Sequence, residues 1–233
     1  MCSSSLSSRA ETYISLEGGP AWQTRNEQKI PTDGGDKFSI SKLNQGPFLA
    51  YRLYAGVRWG EHHEIRGLYA PLSLDVEGQL PNSVRFQGQT FSANEQVKAF
   101  YKFNSYRLTY AYHFAKRGDW TWALGFTGKV RDAEVKLTQG SVSAKKTDVG
   151  FVPLLHLESE YRLSDLWKLR GDLDGLASTQ GRAIDLGLFI QTRILENGEV
   201  FAGYRMVEGG ADNKKVYSFA WLHYATIGGL WNF

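Results

Sequence analysis

Trp167-Lys168-Leu169-Arg170-Gly171-Asp172-Leu173-Asp174-Gly175 is the stretch on which the fold turns. Its odd positions are apolar or small, and its even positions are all charged. Successive side chains of a strand point to opposite faces, so the segment reads as a ribbon with one oily and one ionic side. A helix would scatter the same charges around its circumference and leave no apolar stripe. The alternation continues downstream, where Ile184, Leu186, Leu188 and Ile190 oppose Asp185, Gly187, Phe189, Gln191 and Arg193. Upstream, Phe151, Pro153, Leu155, Leu157 and Tyr161 oppose His156, Glu158, Glu160 and Arg162.

Turn chemistry sets the strand count. Short polar breaks fall at Gly60 to His63, Lys116 to Asp119, Leu163 to Asp165 and Glu196 to Glu199, each between two alternating runs. Longer polar connections are read at 33–35, 78–94, 139–148, 178–181 and 209–213. Four short turns alternating with five longer loops predict ten antiparallel strands, with eight as the alternative. The expected spans are 11–26, 37–59, 63–77, 94–115, 119–137, 149–163, 166–177, 182–195, 199–208 and 216–233. Residues 1–10 read as a disordered serine-rich lead and 11–233 as a single barrel domain. Pro71 and Pro153 are expected at bulges or strand ends, because proline removes a ladder donor. Near Asn104-Ser105 the apolar set passes from odd (Tyr101, Phe103) to even (Tyr106, Leu108), which reads as a bulge.

Composition narrows the class. Among 233 residues, 27 Lys+Arg against 24 Asp+Glu leave only +3, without a long basic run, which argues against nucleic acid as a partner. Cys2 is the only cysteine, so no disulfide framework exists; it reads as a lipid-modified cysteine or an inert thiol. No stretch approaches the ~18–20 apolar residues of a membrane-spanning helix.

Alternation alone does not say whether the oily face looks inward or outward. Strands of ten or more residues exceed the usual soluble length of ~5–6 and suit a tilted bilayer crossing. Trp59, Phe114, Trp120, Trp167, Trp231 and Phe233 flank the short-turn side, as an interfacial aromatic girdle would. The polar face mixes charges with Gly56, Gly125, Gly187 and Gly203, which suits a crowded interior wall. These features predict a closed, all-β, up-and-down transmembrane barrel with its ionic face inside.

The chain at this point resembles bacterial outer-membrane β-barrel proteins. Terminal Phe233, with Trp231 two places before it, is similar to the C-terminal signal that family presents to the barrel-assembly machinery. The resemblance implies an outer-membrane location, contact with membrane lipid, insertion by that machinery and a monomeric state. Ten strands is also the count of the omptin proteases, but their catalytic motifs find no match here, so no catalytic residue is assigned.

Candidate chemistry concentrates on the ionic face. His156, Glu158, Glu160, Arg162, Lys168, Arg170, Asp172, Asp174, Asp185 and Arg193 come from three adjacent strands, joined by Arg52, Arg107 and Arg205, with Arg58, Lys129 and Arg131 behind them. Buried charges must pair or be hydrated, so an interlocking network filling the lumen is expected. Tyr51-Arg52-Leu53, Tyr106-Arg107-Leu108 and Tyr161-Arg162-Leu163 recur at intervals of 55, with the variant Tyr204-Arg205-Met206; duplication and shared architectural demand both account for it. Glu61-His62-His63-Glu64 reads as a solvated turn rather than a metal site, because adjacent strand residues point apart. Glu208 to Asn213 lacks the regular spacing of a calcium loop and reads as a turn. Lys145, Lys146, Lys214 and Lys215 crown the long-loop side and are candidates for lipopolysaccharide phosphates. No metal or cofactor is expected. The functional reading is a structural or surface-interaction role with a charge-filled lumen. A narrow channel for ions or small solutes comes second. A membrane-embedded enzyme using His156, Glu158 and the lumen aspartates comes third.

Overall fold

The computed structural model describes residues 10–233, so the expectations placed on Cys2 and on the rest of the lead lie outside the described residues. The strands in chain order are β1 (Glu11–Lys29), β2 (Phe38–Ser39), β3 (Phe48–Trp59), β4 (His63–Ala70), β5 (Ser73–Gln79), β6 (Val84–Phe86), β7 (Gln89–Phe91), β8 (Gln96–Arg117), β9 (Trp120–Gln139), β10 (Val142–Arg162), β11 (Trp167–Ser178), β12 (Gly181–Arg193), β13 (Gly198–Asp212) and β14 (Tyr217–Asn232). With β4 and β5 acting as one stave, ten staves run antiparallel around the wall, and β14 pairs back to β1 to close it. Closure joins the first stave to the last and so removes most of the edge that lipid would otherwise meet unpaired.

Register fixes the barrel's shape. From Phe151 on β10 the pairing runs through Val130, Tyr106, Tyr69, Leu53, Leu16, Gly229, Val200, Thr192 and Trp167. It returns at Leu163, the residue just past the end of β10 and twelve residues further on. A stagger of this kind tilts the strands by about 40° and narrows the lumen to side-chain dimensions.

Several expected loops are strand. The connections read at 139–148 and 178–181 are tight turns between Gln139 and Val142 and between Ser178 and Gly181, because polar residues there continue the outward face above the lipid. The span read as 37–59 begins its wall strand only at Phe48, after β2 and a 3-10 turn over Ile40–Lys42. Pro71 marks the break between β4 and β5, where the Asn104 side chain takes the Leu72 N–H at 3.1 Å. Pro153 sits in unbroken register with Gly128, just above the point where β11 pairing starts at Leu155. Its missing donor therefore falls on a stretch of β10 with no second neighbour.

No bulge occurs at Asn104-Ser105: β8 and β9 stay in one register from Lys98 to His113. From Val97 to His113 the odd residues of β8 face inward; what changes is the surroundings. Outward residues run Tyr112, Tyr110, Leu108, Tyr106 on β8 and Leu124, Phe126, Val130 on β9, then turn polar at Asn104 and Asp132. β12 passes from Ile184 to Arg182 and β13 from Met206 to Glu208 in the same way. These transitions form one rim, the outer edge of a lipid-facing band of the ~25 Å height that such barrels carry. Above it the pattern inverts, and the inside becomes apolar. Leu74, Val76, Val97, Ala99, Tyr101, Val135 and Leu137 pack there against Ile40, Phe86 and Phe91, which are fully buried. Phe38 meets Phe86 edge-on with centroids 5.6 Å apart. This apolar plug closes the outer end.

Candidate functional site

Below the plug, the inward faces carry a connected ionic network. Asp185 on β12 accepts from three guanidinium groups: Arg52 at 2.9 Å, Arg107 at 2.6 Å and Arg205 at 2.6 Å. β3 and β8 lie across the lumen from β12, so these ties span it. Arg205, 1% exposed, also binds Glu17 at 2.7 Å and Asp172 at 2.9 Å. Arg107 reaches on to Asp174 at 2.7 Å, which meets His156 Nδ1 at 2.8 Å and accepts from Thr127 at 2.9 Å. Arg66 faces His156 Nε2 at 3.2 Å and binds Glu158 at 3.1 Å. Glu64 gathers Arg58 at 3.0 Å, His113 at 3.1 Å and the Tyr13 hydroxyl at 2.5 Å.

Arg52, Arg107 and Arg205 of the repeated tripeptides thus converge on one carboxylate. Arg162 does not join them; it lies on the exposed short-turn rim and binds Asp119 at 2.9 Å. Arg193 is exposed near it. Lys168 bridges Glu160 at 3.3 Å and Glu199 at 3.1 Å at the lower mouth, where a cavity of about 450 Å³ opens. Arg170 makes no ion pair among the described residues and lies over the rings of Phe189 and Phe201 at 4.8 and 5.0 Å. Gly187 makes room for this crowd, since a Cβ there would stand 2.7 Å from Arg205 Nη2.

Glu17, Arg66, Glu64, Tyr13 and Thr127 are members that the sequence reading left out. The signal existed for Glu17, because Tyr13, Ser15 and Glu17 alternate with exposed Ile14 and Leu16. Glu64 is no part of a solvated turn: it is the second residue of β4 and points inward, 1% exposed; His62 and His63 stay at the rim, and no metal-holding group occurs among the described residues. Glu208, read into a turn, is strand and binds Arg182 at 2.8 Å on the outer face.

The six girdle residues all sit at the short-turn end: Trp59 stacks on His63 at 5.4 Å and Trp120 lies tilted against Tyr161 at 4.7 Å, while Phe114, Trp167, Trp231 and Phe233 are exposed. A second belt, unforeseen from sequence, runs near the outer rim through Tyr51, Tyr69 and Tyr106, with ring centroids 6.4 and 5.5 Å apart. Lys145 and Lys146 lie on the part of β10 that rises past the rim, and Lys214 and Lys215 in the turn joining β13 to β14.

A closed barrel that is oily outside, belted by aromatic rings at both rims and ionic within is a transmembrane β-barrel of the bacterial outer-membrane type. The chain has the fold of an integral membrane protein of that type. Among solved structures it is similar to the outer membrane protease OmpT of Escherichia coli, with 10% identity over 100% of this chain and 99% of that one and a TM-score of 0.59. It also matches the β domain of the Bordetella autotransporter BrkA (11% identity, 96% and 99% coverage, TM-score 0.48) and the Yersinia pestis attachment invasion locus protein Ail (12%, 97% and 99%, 0.45). The likeness to the protease is one of fold. No protein-family model and no curated relative matches the chain.

Proposed function

We propose that this is an occluded barrel, serving the outer membrane as a structural or surface-interaction element rather than as an open channel. The knot of Arg52, Arg107 and Arg205 on Asp185 carries this reading, because it ties opposite walls together across the axis. His156, whose two ring nitrogens are engaged by Asp174 and Arg66 and which is 2% exposed, is better suited to holding the network than to meeting a substrate. The protein acts as a monomer inserted by the barrel-assembly machinery. Its outer lysines, Lys145, Lys146, Lys214 and Lys215, meet lipopolysaccharide phosphates above the lipid band. In planar bilayers the purified protein gives no stepwise current; regular conductance steps would overturn occlusion. Charge reversal at the four lysines weakens binding to lipopolysaccharide vesicles, and unchanged binding would remove that contact.

A further inference from the structure

Lys129 breaks the pairing rule of this lumen. It points inward from β9, is 3% exposed, and has neither an ion-pair nor a hydrogen-bond partner among the described residues. Its ammonium lies 4.7 Å from the centroid of the Phe103 ring, and a ring face offsets only part of the cost of a buried charge. Its cross-strand neighbour on the same face is Arg107, and like charges placed opposite one another destabilise a sheet. Arg131, next on that face of β9, binds Asp148 through Nη2 but leaves its buried Nε without a partner. Gly150, opposite Arg131, gives the guanidinium room: a Cβ there would stand 3.1 Å from Nη2. The unpartnered Arg131 Nε and the Lys129 ammonium, which no carboxylate meets among the described residues, therefore share one patch, where the ionic network ends and the apolar plug begins.

The barrel wall is thin beside this patch. β3 loses its β4 neighbour beyond Leu53, since β4 ends at Ala70 and β5 pairs only with β8. A narrow slot of about 20 Å³ is left there, lined by Tyr51, Pro71, Leu72, Phe103, Ser105 and Arg107, of which Phe103 and Arg107 are the ring and the guanidinium beside Lys129.

We propose that the patch binds a phosphate-like oxyanion, held by Lys129 and Arg131 beneath the plug. Two sources carry that chemistry: free phosphate entering the lumen and a lipid phosphate reaching in through the slot. The test titrates the intact barrel, in phosphate-free neutral detergent, with inorganic phosphate and separately with dihexanoyl phosphatidic acid. Thermal midpoint and the ³¹P linewidth of each probe are followed. Saturable stabilisation by either probe is expected; a response to both marks the lumen route, and a response to the lipid alone marks the slot. Lys129→Met should weaken the apparent affinity about tenfold or more. It should not lower stability without the probe, because the lost contact with the Phe103 ring is offset by removal of a charge that no carboxylate meets. Arg131→Gln should weaken the response too, and exposed Lys98→Met should leave it intact. Absence of saturable binding of both probes to the unaltered protein overturns the site, as does a Lys129→Met response equal to the parent's. Should Lys129→Met fail to fold, the ³¹P titration of the parent and the Arg131→Gln response decide the matter.

Discussion

Asp185 takes three guanidinium groups on two oxygens, and the consequences are those of a buried charge cluster rather than of a surface ion pair. Removing one member of such a cluster strands the others in a low-dielectric site, which typically costs about 3–5 kcal/mol. Asp185→Ala should therefore lower unfolding stability in micelles by about that amount, read from urea midpoints at constant slope. A loss under about 1 kcal/mol, the range of exposed ion pairs, would mean that water has entered the lumen. Gly187→Ala probes the same knot by volume: the added methyl would press on Arg205 Nη2, 2.7 Å away, and should cost about 1–3 kcal/mol. At this scale the sequence was readable where alternation ran clean. Arg52, Arg107 and Arg205 each sit between two outward apolar residues, so their inward direction followed from parity. Arg162 occupies the same tripeptide but lies beside the Leu163 turn, and parity says nothing about depth.

The elements above the lipid follow a different logic, and there alternation misled. A period of two survives a change of environment, while the meaning of its faces reverses. Tyr101 and Arg107 share one inward face of β8, yet the first meets the plug and the second the ionic network. The switch at Asn104 thus reports where the membrane ends, not where the strand bends. The hairpin of β6 and β7 was missed because its turn, Gln87-Gly88, with both residues at positive φ (50° and 77°), lies within a stretch of mixed polarity. Its docking is held partly by Asp36, which accepts from the Arg85 backbone N–H at 2.9 Å and from Arg85 Nε at 3.2 Å. Hydrogen bonding from the Arg85 side chain holds the Asp36 carboxyl below its ordinary pKa. A depressed carboxylate contributes stability above its unfolded pKa, near ~3.9, and loses it as pH falls through the lower folded value. Exchange of the Gln87 amide, which bonds the Ile30 carbonyl at 3.2 Å, should accelerate at pH 3 relative to the intrinsic rate, and Arg85→Ala should flatten that dependence. An unchanged pH response in Arg85→Ala would show that Asp36 does not govern docking.

On the scale of the whole molecule, two seals stand in series along one axis: the apolar plug at the outer end and the Asp185 knot within the lipid band. They are chemically independent, one held by burial of Phe86 and Phe91 and the other by paired charge. Sites without shared partners act additively, so each seal should close the barrel when the other is opened. The geometry offers a clean way to open the first. Asn94 donates its backbone N–H to the Leu80 carbonyl at 2.9 Å, so residues 82–93 can be excised and the ends joined by two glycines with little strain. That deletion alone should leave planar bilayers insulated, because the knot still bridges the lumen. Asp185→Ala alone should do the same, because the plug remains. Combined, they should give stable steps of current, entering through the cavity of about 450 Å³ at the short-turn mouth. A steady conductance from either change alone would mean that the two seals are one coupled structure. Silence from the double variant, with the barrel still folded by its heat-shifted gel mobility, would place a further obstruction among the ties from Arg66 to Glu158.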